Sequence, residues 1–327
     1  MKTNNQKKIL SALLALTVLS FSSKAATIYS TGNDTLNYCV NNTSSSYKTI
    51  ADNISIKTGD TVSVITSRYS EWTGKVTGKG TLNILSGGER TYIGTQKKKG
   101  SDYPDWTGHT GDVHIYPYKE VVSSCGFYGL VLHSGTFQPD NISGSNYNKL
   151  FEKNRVVVHN GATIAIESGT RGIRIGELET ETGSSLTGYY KKSSAISYYI
   201  IGGKNSNAEL AGKIYNSASG NKVGIIKEGT GTYVISGTNN DINGGIRLTK
   251  GTLLIENDIE KTKAENGSGA TGKYGSVIVY EDAILGGNGS IASATEVYGS
   301  IKPANNSLGT LYFTDFQSNP SQVNVTL

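Results

Sequence analysis

The sequence predicts an all-β fold, a parallel β-helix or solenoid, on three observations. Apolar residues alternate with polar or small ones in short runs, as at Tyr233/Ile235, Leu253/Ile255 and Val277/Val279, which is the period-2 mark of half-buried strands. Gly, Asn or Asp stands where each run stops. The runs recur every six to twelve residues or so, with no gap wide enough for a βαβ crossover, so the strands must turn corners directly and wind on. In such a stack each coil buries its apolar residues against the next, and the core grows along one axis. With no Pro-rich or Ser-rich linker, residues 26–327 read as a single elongated domain.

Residues 1–25 precede that body and have the three parts of a secretory signal peptide. Lys2, Lys7 and Lys8 form the basic start, Ile9 to Phe21 the apolar segment, and Ser23-Lys24-Ala25 the small-residue cleavage site. The apolar segment is shorter than the roughly 20 residues a spanning helix needs, so no stable transmembrane segment is expected. The signal also carries Lys24 and no acid. Taking its four lysines from the 31 basic residues leaves 27 against 26 acidic ones, so the +5 of the whole chain falls to about +1. A nucleic-acid partner therefore has no electrostatic support. The remaining basic run, Lys97-Lys98-Lys99, sits among turn residues and reads as a solvated loop.

From 26 to 86 the chain reads as an N-terminal cap and first coils. Strands are expected at Asn53–Ile56, Val62/Val64 and Leu82/Ile84, with Gly59-Asp60 as a turn and Tyr29, Tyr38 and Tyr47 as cap material. From 87 to 150 the pattern loosens into loop-rich coils around Val113/Ile115 and Leu130/Leu132. Here Tyr103, Trp106, His109, His114, Tyr116 and Tyr118 gather, and loops on a rigid scaffold are where a ligand is sought. Aromatic rings beside polar groups suit sugar faces, while the plainer alternative is that they cover rung ends.

Regular coils resume over 151–327. Val156/Val158, Ile164/Ile166 and Ile173/Ile175 alternate cleanly. If Ile173 and Ile175 point inward, an unbroken strand would bury Glu177, Glu179 and Glu181 as well. Unpartnered buried carboxylates are too costly, so the chain must turn or bulge at Gly176, bringing Leu178 inside and leaving the three Glu outside. Those three lie on one strand face about 6.5–7 Å apart, a spacing that fits a hydrated cation or the flanks of a glycosidic bond, and also a plain solubilising edge. Whether they bind a cation stays open. An enzyme would need a Lys or Arg, for instance Arg171, Arg174 or Lys191, beside them in a concave strip; a flat solvated row would argue against one.

Ile196–Ile200, the corner Lys204–Asn207, then Leu210, Ile214 and Ile225 carry the core onward. Asn257 to Lys263 reads as one short helix, capped by Asn257 or Asp258 and lying outside the solenoid. The surrounding stretch, 229–309, states the repeat most clearly: GTGTYVISG, NNDINGGI, KGTLLIEND, AILGGNGSI and VYGSIKPANNSLGTL in order. This order resembles the autotransporter-associated β-strand repeat of bacterial surface proteins. The resemblance covers about eighty residues well and implies a right-handed β-helix displayed outside the cell as a stalk or adhesive surface; it does not imply an active site.

Several chemistries are missing. There is no GGxGxDxUx calcium repeat, GxSxG, Walker A, GxGxxG after a strand, or HExxH, and no cofactor is expected. His109 and His114 have no Cys or acid at zinc spacing, so no metal site and no catalytic set is assigned. Cys39 and Cys125 fall about four coils apart, roughly 19 Å along the axis. That is beyond disulfide reach unless the N-terminal region folds back, and the pairing stays open. The last run, Val323 to Leu327, is a bare alternating strand with no membrane-barrel pattern after Leu311. It predicts either a chain that continues or end-to-end association with a partner.

Two functions follow from the sequence. The first is a secreted or surface-displayed, non-enzymatic adhesin or spacer that binds host or cell-surface glycans or proteins. The alternative is a polysaccharide-acting lyase or glycoside hydrolase, since fold alone does not decide between them.

Overall fold

The computed structural model describes residues 25–38, 48–66, 69–87, 90–93, 106–118, 129–132, 148–166, 171–188, 196–216, 222–259, 275–291, 293–303 and 309–313. Among these residues there are 29 strands and no helix, and the strands pair in parallel in stacked ladders, as a parallel β-helix requires.

Each coil places strands on three faces. In the first three coils Thr27–Tyr29, Asn53–Ile56 and Val76–Gly78 build the first face. Asn33–Asn37, Thr61–Thr66 and Thr81–Gly87 build the second, and Lys48–Ile50, Tyr69–Trp72 and Arg90–Ile93 the third. The register explains the alternation seen in sequence. Val62 pairs with Leu82, Leu82 with Val113, Val113 with Val156 and Val156 with Leu178, so one inward column of aliphatic side chains runs through five coils, all with no exposed surface. Fully burying each such side chain contributes about 1.5–3 kcal/mol, an upper figure because the unfolded chain is already partly collapsed.

The fourth coil (106–118 and 129–132) departs from this pattern. Among the described residues its first face is one parallel bridge, Gly78 with His109. Buried polar groups stand beside that bridge. The His109 Nε2–H donates to the Gly80 carbonyl at 3.0 Å, and Asn154 Nδ2 reaches His109 Nδ1 at 3.0 Å and the Gly111 carbonyl at 2.8 Å. One side-chain chain thus links the third, fourth and fifth coils. Trp106 lies in the same core, edge-on to Trp72 at 4.8 Å, with its indole N–H on the Gly74 carbonyl.

In the fifth (148–166) and sixth (171–188) coils the first two faces are joined in single long strands, Asn148–Val158 and Arg171–Thr180. The register between them slips twice, between Asn148 and Phe151 and between Phe151 and Arg155. Ile173 and Ile175 point inward, then Leu178 does, with Gly176 at the change of parity, as the sequence requires. Beyond it the ladder divides: residues 171–175 pair with Ile196–Ile201 and Thr180 pairs with Leu210. Gly176 therefore marks a corner between faces. Its glycine is needed for closeness, since a Cβ there would stand 2.5 Å from the Glu152 carbonyl oxygen and 3.0 Å from that of Asn154.

The glycines of the clearest repeat have the same cause. A Cβ on Gly229 would lie 2.0 Å from the Gly202 oxygen, and one on Gly231 would lie 1.9 Å from the Ser206 oxygen. The alternating Gly-Thr-Gly-Thr exists because the corner of the preceding coil presses onto it. Asn205 and Asn207 fasten that corner, accepting hydrogen bonds from the Thr230 and Thr232 amides at 2.9 and 2.8 Å.

The expected helix at Asn257 to Lys263 is corrected in its first half. Asp258–Ile259 is a strand paired in parallel with Ser290–Ile291, because the third-face ladder competes for those backbone groups and wins; residues 260–263 lie outside the described part. Of the tyrosines assigned to a cap, Tyr38 is buried with its hydroxyl on Asp52 at 2.9 Å, whereas Tyr29 is 66% exposed. Tyr47, both cysteines, residues 1–24, Lys97–Lys99 and the terminal run 323–327 lie outside the described residues.

Candidate functional site

The outward side of the second face in coils four to six carries the densest set of ionisable groups in the described core. Alternation puts Asp112, His114 and Tyr116 outward from Val113 and Ile115, and Arg155, Val157 and His159 outward from Val156 and Val158. Glu177, Glu179 and Glu181 continue the same surface one coil on.

The three Glu are neither a bare row nor a free pair. Arg155 gathers two of them with Asp112: its Nε lies 3.1 Å from Glu177, one terminal nitrogen 2.6 Å from Glu179 and the other 3.4 Å from Asp112. Burial works against the Arg155 charge, but the Glu179 hydrogen bond and the three carboxylates outweigh it and raise its pKa further. Glu177 points away from the core yet is only 9% exposed, held between Arg155 and the Ser206 hydroxyl at 2.6 Å. The expectation of three solvent-facing carboxylates is corrected at this residue, since the corner loop of the next coil covers it.

Glu181 ends the row differently. It accepts the Asn160 amide at 2.9 Å and lies 2.8 Å from His159 Nδ1. The Asn160 amide is the main reason its carboxyl sits below the usual range, with His159 adding to it. His159 Nε2 is in turn 2.9 Å from His114 Nδ1. A carboxylate only accepts, so His159 Nδ1 carries a proton; with His159 neutral, its Nε2 accepts from His114 Nδ1–H and His114 Nε2 keeps its lone pair. Burial, then the neighbouring His159, lowers the His114 pKa and keeps it neutral. The Tyr116 ring stacks on His159 at 4.0 Å and 3°, and burial followed by the Glu181 charge raises its hydroxyl pKa.

A basic residue does sit beside the row, but it is Arg155 and none of the three named as examples. Arg174 pairs with Glu228 at 3.2 Å, because it lies on the first face, around the corner from the Glu row. The side chain of Arg171 and all of Lys191 lie outside the described residues. Sequence reading missed Arg155 and His159 as the true partners, with Asp112 as a further acid on Arg155. Their outward parity was visible, but which residue of one coil lies beside which of the next was hidden by the unequal coil lengths.

Of the aromatic group around residue 106, Trp106 and His109 are core, each 1% exposed, and only His114 and Tyr116 face outward. Tyr103 and the Tyr118 side chain lie outside the described residues. Among the described residues no group of three or more His, Cys, Asp or Glu is arranged to hold a metal ion, and no helix is long and apolar enough to cross a membrane. No family model matches the chain, and no curated protein matches it.

Proposed function

We propose that this is an exported, surface-displayed, non-enzymatic β-helix that acts as an adhesin or spacer, with the outward second face of coils four to six as its contact surface for a glycan or protein. The observation that supports this reading is the commitment of the Glu row. Glu177 has both oxygens bound, to Arg155 and Ser206, and so has Glu181, to His159 and the Asn160 amide, while Glu179 gives one to Arg155. A pair of catalytic carboxyls needs free oxygens on two residues, whereas a cross-linked row stiffens a surface. Export rests on the basic, apolar and small-residue pattern of 1–25, and display outside a bacterial cell on the resemblance of 229–309.

A second reading keeps one specific support. The Glu181–His159–His114 chain leaves His114 Nε2 as an oriented base, the arrangement a proton-abstracting polysaccharide lyase would use. One experiment separates the two. Residues 26–327 are applied to a glycan array and incubated with a polysaccharide panel while new reducing ends and unsaturated products are followed. Binding without turnover is expected. Turnover that disappears in His114→Asn would replace the adhesin with the enzyme.

A further inference from the structure

A second site lies on the opposite stretch of the stack, at the corner between the first and second faces of the ninth to eleventh coils. A groove of about 590 Å³ opens there, and Ile278, Tyr280, Glu281, Asp282, Glu296 and Tyr298 line it. The ladder builds it as two columns. Ile278 is in register with Glu296, and the Tyr298 amide donates to the Val279 carbonyl at 2.8 Å, so Tyr298 follows Tyr280 one coil later. Successive coils rise by about 4.8 Å, so Tyr280 and Tyr298 are neighbours across the ladder and both line the groove.

Tyr298 is 63% exposed, one of three large apolar side chains so exposed among the described residues. Its hydroxyl donates to Glu296 at 3.3 Å, and both residues line the groove. Glu281, Asp282 and Glu296 are all exposed, and none of them is in an ion pair among the described residues. No Lys, Arg or His is among the lining residues. Aromatic faces and unneutralised carboxylates around one open groove make a cation trap, since a ring face attracts an ammonium or guanidinium and a carboxylate completes the pair.

From this charge complementarity we infer that the groove docks a basic peptide segment of a partner protein, with a Lys or Arg side chain laid across Tyr280 and Tyr298. The site is separate from the second-face flank and does not depend on what that flank binds.

Titration of residues 26–327 with an oligolysine peptide at low and high salt, followed by calorimetry, tests it. Saturable binding that weakens with salt is expected. Tyr298→Ala should weaken it about tenfold, Tyr298→Phe should leave it nearly unchanged, and Glu281→Gln with Glu296→Gln should remove most of it. Unchanged thermal unfolding of these exposed-site variants excludes misfolding as the cause. Absence of saturable binding, binding indifferent to Tyr298→Ala, or preferential binding of a neutral oligosaccharide would each overturn the proposal.

Discussion

The second face of coils four to six gathers four carboxylates and the corner groove of coils nine to eleven three, and the two sets are in opposite electrostatic states. In the former, Arg155 and His159 reach across from the preceding coil and bind the acids into a lattice. In the latter, the register brings Ile278 and Tyr280 where a base would have to stand. The difference teaches that in a solenoid the neighbour one coil away, rather than the neighbour in sequence, decides whether an acidic cluster is structure or binding surface.

The comparison breaks most severely at Gly176, which holds the corner that separates the Glu row from Arg174. Gly176→Val would force a side chain onto the Glu152 and Asn154 carbonyls, and should cost several times the ~1 kcal/mol of an ordinary substitution. A melting temperature within a degree or two of the parent would show that the corner gives way easily.

Arg155→Ala sharpens it next. The change strands the buried Glu177 and should destabilise by roughly 1–2 kcal/mol, less than a fully buried pair because Arg155 keeps a third of its side-chain surface in water. Glu281→Gln, on the open groove, should stay within about 0.5 kcal/mol of the parent. Equal effects at the two places would erase the distinction.

The smallest effect is in pH. Burial is the main cause holding His109 below its ordinary 6.5, so the unfolded chain takes up a proton that the folded one refuses. Stability is therefore full above about 6.5 and falls as pH drops below it, with His114 acting in the same direction. Glu181, whose folded pKa lies below 4.5, adds a later loss as pH falls through its folded value. Thermal scans from pH 7 downward should show His109→Gln flattening the upper part of this acid limb. The Tyr280–Tyr298 groove has no histidine in its lining and should not contribute.

Much of this was legible in the sequence. Alternation alone gave the inward columns, and the cost of burying Glu177, Glu179 and Glu181 located the corner at Gly176. What parity could not give was the partner. Arg155 and Glu179 are 24 residues apart and touch only because the coil between them has that length, and His114 reaches His159 across 45 residues. Asp258–Ile259 escaped for a related reason, since a helix cap and a short strand use the same residues and only the ladder beside them decides.

The His109–Asn154–Gly80 link has a consequence for how the molecule comes apart. A stack of coils behaves as a one-dimensional array in which each interface carries its own share of cooperativity. At the fourth coil the first-face ladder is a single bridge, and this buried polar link couples the coils on either side. Protonating or removing His109 loosens the first-face side of that interface while the second- and third-face ladders still cross it, so hydrogen exchange should rise first in the backbone around residues 78–80 and 109–111.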